Sequence, residues 1–256
     1  MLKVTFLGTG TSQGVPVIGS QHPVCLSNDP KDKRLRVSVL ISWEGGQVVV
    51  DCGPDFRQQM LQQEVDHLDA LLITHEHADH TAGLDDIRPF CFRQGALPVY
   101  ATQEVFKGLE SRFAYIFETE NRYPGAPSVT KNVIAKNQPF ELCGKTITPI
   151  EAIHYQMPVL GFRIDNFAYL TDVKTLADDQ LPYLQDLDVL VLNALREEEH
   201  PSHLNLAEAM AIVDQLQPKK TYFTHISHLF GFHAEISAKL PKHVALAYDN
   251  LSIHIP

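Results

Sequence analysis

The stretch THEHADH, residues Thr74–His80, decides how the rest of the chain is read. It follows the apolar run ALLI, a short buried strand that feeds a loop. Within six positions it offers four nitrogen or oxygen ligands: His75, His77, Asp79 and His80. Alternate side chains of a loop can point different ways. The spacing therefore lets His75 and His77 face one ion and Asp79 and His80 a second. Imidazole with carboxylate suits Zn²⁺, Mn²⁺ or Fe²⁺. A single H-x-H is better read as an exposed, histidine-rich turn; H-x-H-x-D-H directly behind a strand is better read as a metal site.

Further ligands are expected at other strand ends. His154 closes ITPIEAIH, Asp172 closes FAYLTD and His225 closes KTYFTH. Taken singly, each is more readily a cap or a hydrogen-bonded polar residue. Together with THEHADH they complete two sites.

The same alternation of apolar runs and turn signals extends through the chain. LKVTFL (2–7) reads as a strand, followed by the loop GTGTSQGVPVIGSQHP; VSVLIS (37–42) and QVVVDCG (47–53) read as a hairpin joined at WEGG. FRQQMLQQEV, TAGLDDIRPF and TQEVFKGLESRFAYIF carry a helical period, the last with Thr102 as its cap and Glu104 in its first turn. LPVYA (97–101) is another strand, and NRYPGAPS (121–128) is a Pro/Gly loop. The second half repeats the strand habit in FEL, ITPIEAI, GFRI, FAYLTD and DVLVLNA. It then gives the amphipathic helix LNLAEAMAIVDQL (204–216), the strand KTYFTH, one more helix and VALAYDNLSIHI. Two strand-rich halves with interspersed helices imply two sheets face to face with helices outside, in a single domain spanning residues 1–256.

Composition narrows the function. The chain of 256 residues carries 21 basic and 31 acidic side chains, a formal net charge of −10. Such a surface repels long polyanions and argues against a nonspecific nucleic-acid binder. A small phosphorylated substrate stays compatible, because bound cations reverse the local field. No run of 18 apolar residues is present, so no membrane span is expected. The four cysteines are far apart and MLKVTFLG opens directly as a strand, which together suggest a reducing, cytoplasmic setting without disulfides.

The order H-x-H-x-D-H, lone histidine, aspartate behind an apolar strand, then histidine resembles the metallo-β-lactamase superfamily, and DCGPD (51–55) resembles its D-x-G turn. The resemblance runs from LGTGTSQG to AYDNL. It implies an αββα four-layer sandwich with the site between the sheets at one edge. It also implies that His75, His77 and His154 hold one divalent ion and Asp79, His80 and His225 the other, with Asp172 bridging. LGTGTSQGVP, DDIRPF, HPSHLNLAEA and FTHISH resemble a narrower group, which includes the cyclic ribose phosphodiesterase of carbon–phosphorus lyase pathways and, as a larger relative, tRNase Z. tRNase Z enzymes carry a basic arm for tRNA, and no Lys/Arg-rich insertion is present here.

The resemblance thus implies a dinuclear phosphodiesterase with two Zn or Mn ions, acting on a small cyclic or nucleotide-like phosphodiester through a metal-bridging hydroxide. His203, of HPSH, would contact the scissile phosphate and act as general acid beside the ligand Asp79. The alternatives are a thioester- or lactam-type hydrolase and a tRNase Z-like nuclease. Related phosphodiesterases place a C-x-C-x-x-C loop and a late histidine around a structural zinc. The equivalent positions here are Ser20, His22 and Cys25, with His228 as the late residue. Serine is a poor zinc ligand, so an additional structural Zn and a metal-free, hydrogen-bonded loop are both open. Cys52, Cys91 and Cys143 read as small core residues, and His200 as a surface residue. Pocket walls are expected from Ser12–Val17, the Arg88–Arg93 region and the Tyr115–Pro127 loop. A homodimer, which the resemblance suggests, would suit exposed aromatics in FAYIF.

Overall fold

The computed structural model describes residues 1–120 and 122–256. The first seven strands of the chain begin with β1 (Leu2–Gly8), β2 (Ser38–Trp43), β3 (Gly46–Val50) and β4 (Ala70–Leu72), then β5 (Leu97–Ala101), β6 (Val129–Val133) and β7 (Phe140–Leu142). The remainder are β8 (Lys145–His154), β9 (Met157–Ile164), β10 (Phe167–Leu170), β11 (Val189–Asn193), β12 (Lys220–Thr224), β13 (Val244–Leu246) and β14 (Ser252–Ile255). They form two seven-stranded sheets, ordered β14-β1-β2-β3-β4-β5-β6 and β13-β12-β11-β10-β9-β8-β7. Each sheet has the same plan: antiparallel hairpins at one side and a run of parallel strands at the other, β3 to β6 in the first and β10 to β13 in the second. VALAYDNLSIHI, which reads as continuous, is divided between the sheets: VAL pairs with β12 and SIHI crosses over to pair with β1.

Period-2 alternation decides which face each residue joins. Val4, Phe6, Val39, Ile41, Val48 and Val50 point inward and meet Phe162, Ile164, Phe167, Tyr169 and Val191 of the second sheet, all fully buried or nearly so. The opposite faces carry separate cores. Leu7, Val49, Leu71 and Val99 pack against the helices Phe56–Gln62, Arg88–Gln94 and Gln103–Arg112. Leu190, Leu192 and Phe223 pack against Leu206–Leu216 and His233–Lys239. The result is the expected four-layer αββα sandwich.

Several local expectations are corrected. TQEVFKGLESRFAYIF is two helices, Gln103–Arg112 and Ala114–Phe117, broken at Phe113. Thr102 does cap the first, accepting from Val105 N. TAGLDDIRPF is a 3₁₀ turn, Leu84–Ile87, leading into a helix whose Pro89 sits in the tolerated first turn. In FAYIF, Phe113 and Phe117 lean on the core behind the first sheet; Tyr115 alone of the three aromatics is exposed, and its hydroxyl donates to Asp85 Oδ1 at 2.8 Å. Cys143 is exposed at the β7–β8 turn with φ 49°, whereas Cys52 and Cys91 are buried; all are free thiols. The NRYPGAPS loop begins at Asn121, outside the described residues; within it Ala126 N donates to Tyr123 O, closing a turn. Among the described residues, no helix is long and apolar enough to cross a membrane.

Candidate metal centre

Parallel strands deliver their C-terminal ends to one edge of each sheet, and the polar residues gather there. β3 leads into Asp51, β4 feeds His75, β10 feeds Asp172 and β12 feeds His225. β8 runs the same way as β10 and ends on His154. A crevice beyond the carboxyl ends of strands is where α/β sheets place ligands. Asp51, Asp172 and His225 all adopt positive φ, 65°, 60° and 57°. For these residue types that conformation costs energy, and here it turns each side chain abruptly out of its strand into the crevice.

Two ligand groups result. One atom each from His75, His77 and His154 lie within 4.8 Å of one another, and so do those of Asp79, His80, Asp172 and His225. Asp172 stands between them. Its Oδ1 is 3.3 Å from His80 Nε2 and 3.2 Å from His225 Nε2, while its Oδ2 is 3.9 Å from both His75 Nε2 and His154 Nε2. Asp79 Oδ2 is 3.2 Å from His80 Nε2 and 3.8 Å from His225 Nε2.

The surrounding hydrogen bonds aim these atoms. His80 Nδ1–H donates to Asp51 Oδ2 at 2.7 Å, and His154 Nδ1–H donates to the Ser202 carbonyl at 2.7 Å. Thr74 Oγ1 gives its proton to Asp51 Oδ2, so it accepts from His75 Nδ1–H at 2.9 Å. Asp51 also accepts from Thr74 N. One buried carboxylate thus orients ligands of both groups, and each of these rings turns its Nε2 inward. Thr171 Oγ1 donates to Asp172 Oδ1, and Asn193, at the end of β11, braces the same turn through both bonds to Val173.

The Nε2 atoms of His75, His80 and His225 are buried without an aligned hydrogen-bond partner among the described residues. Buried polar atoms left so cost about 1–3 kcal/mol each. Converging on two carboxylates, they form a donor set that a divalent cation fits. Burial opposes ionisation of Asp172, but His225 and His80 hold it well below the usual carboxylate range. Burial and the neighbouring His80 keep His75 well below its ordinary value, which leaves its Nε2 lone pair free. His80 behaves oppositely: burial is outweighed by Asp172, Asp51 and Asp79, so its pKa stands well above the histidine range.

His203 comes to the same place. Its Nδ1 is 3.9 Å from Asp172 Oδ2, and its ring lies 4.6 Å from those of His225 and His154. Burial and His225 push it down to about 2, so it is a neutral imidazole. His200 is half-buried rather than at the surface, 5.2 Å ring to ring from His203.

His22 and His228 meet edge to face at 5.0 Å, but with Cys25 they form no group whose ligand atoms all lie within 4.8 Å, among the described residues. His22 Nδ1 instead accepts from Val24 N, capping the turn Pro23–Leu26, and Cys25 Sγ accepts from Val17 N.

Two cavities flank the centre. One, of about 510 Å³, runs along His77 and His154 beneath Tyr155, Met157 and Ser202. The other, of about 500 Å³, lies beside Asp79 and is walled by Ser12, Gln13 and Val17 as expected. The Arg88–Arg93 segment and the Tyr123–Ala126 turn line cavities that include none of the ligand residues. The β8–β9 turn is the wall that sequence reasoning missed; only the short spacing between two strands could have marked it.

Comparisons with known proteins support the fold. Residues 47–226 match the Beta-lactamase superfamily domain. A diphosphatase from the PhnP family is similar in structure at TM-score 0.92, with 39% identity over 98% of this chain and 96% of that one. An octanoyltransferase of Porphyromonas gingivalis is 39% identical across 98% of this chain, which spans 51% of that relative's length. A ribonuclease Z of Pyrobaculum neutrophilum is 32% identical over 97% of this chain and 96% of its own. A shared sandwich alone would show only a fold, but likeness of this depth across both sheets shows descent: the chain belongs to the beta-lactamase superfamily, among its metal-dependent hydrolases.

Proposed function

We propose that the protein hydrolyses a small phosphodiester at a dinuclear metal centre, with His75, His77 and His154 holding one ion, Asp79, His80 and His225 the other, and Asp172 shared. The observation that carries this reading is the division of the Asp172 carboxylate, with one oxygen toward each histidine group. Two divalent ions in these positions would supply Lewis-acid stabilisation of phosphoryl oxygens and acidify a water for in-line attack.

The chain's own residues account for the rest. Asp79 and Asp172 together offset half of the +4 of two divalent ions, leaving a positive site suited to a phosphodiester monoanion. Asp51 fixes the tautomers of His75 and His80 through Thr74 and directly. His203 is neutral before substrate arrives and presents an N–H to a phosphoryl oxygen. The anionic phosphate then favours its protonated form, from which it donates to the leaving oxygen.

The diphosphatase and the ribonuclease Z, each matched over nearly its whole length, are named for phosphorus chemistry and favour this reading over thioester or lactam hydrolysis; the octanoyltransferase, of which this chain spans 51%, is named for acyl transfer and keeps a thioester in the test. Alignment with the ribonuclease Z takes 305 positions for 97% of a 256-residue chain, so that relative carries inserted segments absent here. With a net charge of −10, this favours a small substrate over tRNA. The test is a substrate panel on the metal-loaded protein: bis(p-nitrophenyl) phosphate, 2′,3′-cyclic nucleotides, ribose 1,2-cyclic phosphate, linear dinucleotides, a precursor tRNA, a thioester and a β-lactam. Turnover of small diesters above the other classes is expected; turnover confined to the thioester or lactam overturns the proposal.

A further inference from the structure

Three of the ligands come directly after a threonine: Thr74–His75, Thr171–Asp172 and Thr224–His225. All three threonines are buried, and the first two hydroxyls reach a carboxylate of the centre. Thr74 is a complete relay. Its Oγ1 accepts from His75 Nδ1–H and donates to Asp51 Oδ2, both at 2.9 Å. A hydroxyl has one proton, so a group that donates to it helps decide where that proton goes. Thr171 has only the outgoing half. It donates to Asp172 Oδ1 at 2.8 Å, and among the described residues no aligned hydrogen bond is donated to it.

A donor stands two residues earlier. Phe167 and Tyr169 alternate along β10 and join the core between the sheets, and the same alternation puts Thr171, just past the strand end, on their face. Tyr169 is fully buried and pairs in register with Phe162 of β9 and Val191 of β11. Its hydroxyl is buried with no aligned hydrogen-bond partner among the described residues. A phenylalanine would fill the same space without leaving a buried polar atom to satisfy. Burial first, and then Asp51 and Asp172, hold this hydroxyl well above the ordinary tyrosine range, so it keeps its proton; Thr171 acts the other way, as the hydrogen-bonding side chain beside it. The hydroxyl therefore sits beneath the centre, in the field of the two carboxylates that link its halves.

We infer that Tyr169 is a positioning residue of the metal centre: its hydroxyl donates to Thr171 Oγ1, which commits the threonine proton to Asp172 Oδ1 and fixes that oxygen toward His80 and His225. The chain Tyr169–Thr171–Asp172 does from the second sheet what His75–Thr74–Asp51 does from the first. This rests on the dinuclear reading of the site and names the ion that Tyr169 serves, the one held by Asp79, His80 and His225.

The test is calorimetric titration of metal-stripped protein with Mn²⁺, for wild type, Tyr169→Phe, Thr171→Val and the double variant. In Tyr169→Phe one of the two equivalents should bind about tenfold more weakly, the low end for losing a group that orients a metal ligand, and the other should keep its affinity. The Tm of metal-free Tyr169→Phe should be no lower than that of wild type, because the change removes a buried hydroxyl without an aligned partner. Adding Tyr169→Phe to Thr171→Val should cause no further loss, since the relay is already cut. Unchanged affinity for both equivalents, equal weakening of both, a metal-free Tm that falls along with the affinity, or additive losses in the double variant would each overturn the inference. If wild type takes up a single ion, the tenfold loss is read on that ion and the count of two fails separately. Failure of wild type to hydrolyse bis(p-nitrophenyl) phosphate counts against the phosphodiester reading alone, because binding is read directly.

Discussion

At the scale of single residues, the centre depends on how a few side chains are held rather than on their presence. His80 is the clearest case. Three carboxylates, Asp172, Asp51 and Asp79, raise its pKa against the cost of burial, so a proton competes with a cation for its Nε2. The sign follows: metal affinity falls as pH falls, and because the pKa is raised, the loss begins above the ordinary histidine value of about 6.5. Equilibrium dialysis against Zn²⁺ from pH 9 to pH 5 should show occupancy dropping early in that descent; affinity that is flat to below pH 6 would contradict this picture of His80. His203 makes a different prediction. His203→Ala should leave metal content unchanged and lower turnover of a diester with a poor leaving group by about 10²–10⁴-fold, with a smaller loss on p-nitrophenyl esters. Equal losses on both substrates would argue against proton donation.

Elements explain why those residues arrive together, and why part of this was legible in the sequence. Each polar residue that closes an apolar run, His154, Asp172 and His225, lies at a strand end in the crevice, because a buried strand has one place to put a polar side chain. THEHADH is divided by its backbone: the helix Ala78–Thr81 begins inside the motif and carries Asp79 and His80 into the second group, although the His80 ring stays 4.1 Å from that of His75. What the sequence hid is backbone conformation. The positive φ at Asp51, Asp172 and His225 has no residue signature, since none is glycine. The break at Phe113 was hidden as well, because a helical period runs through it. The wall under Tyr155 was hidden because a two-residue turn between strands reads as a connection only. The His203 loop ends in a device that a helix read from Leu204 passes over, since the helix begins at Leu206. Asn205 accepts from Glu208 N while Glu208 accepts from Asn205 N, a capping box on Leu206–Leu216. Asn205→Ala should cost about 1 kcal/mol, lowering Tm by about 2–4 °C. A Tm change below 1 °C by calorimetry would show that packing alone fixes this helix.

For the whole molecule, the notable feature is a buried tie between chain ends. Arg34, 5% exposed, donates through Nη1 to Thr9 Oγ1 and to the Ala247 carbonyl, both at 2.7 Å, and its Nη2 is 3.2 Å from His233 Nδ1. Asp249 accepts from Thr9 Oγ1 and Leu35 N, and burial pushes it up to about 6. The first loop, which walls the Asp79 cavity, is thereby fastened to the segment that carries the chain from the second sheet back to the first. Arg34→Met should destabilise by about 3–5 kcal/mol, because it strands buried acceptors and a carboxylate. Denaturant unfolding showing less than 1 kcal/mol would mean that the two sheets hold the loop without it.

The central claim, that both histidine groups and the shared Asp172 act as one hydrolytic centre, is tested most directly by adding Zn²⁺ or Mn²⁺ stepwise to metal-stripped protein while following hydrolysis of bis(p-nitrophenyl) phosphate. The account predicts that turnover rises to a plateau at two equivalents per chain. A plateau at one equivalent, or no turnover at any, would contradict it.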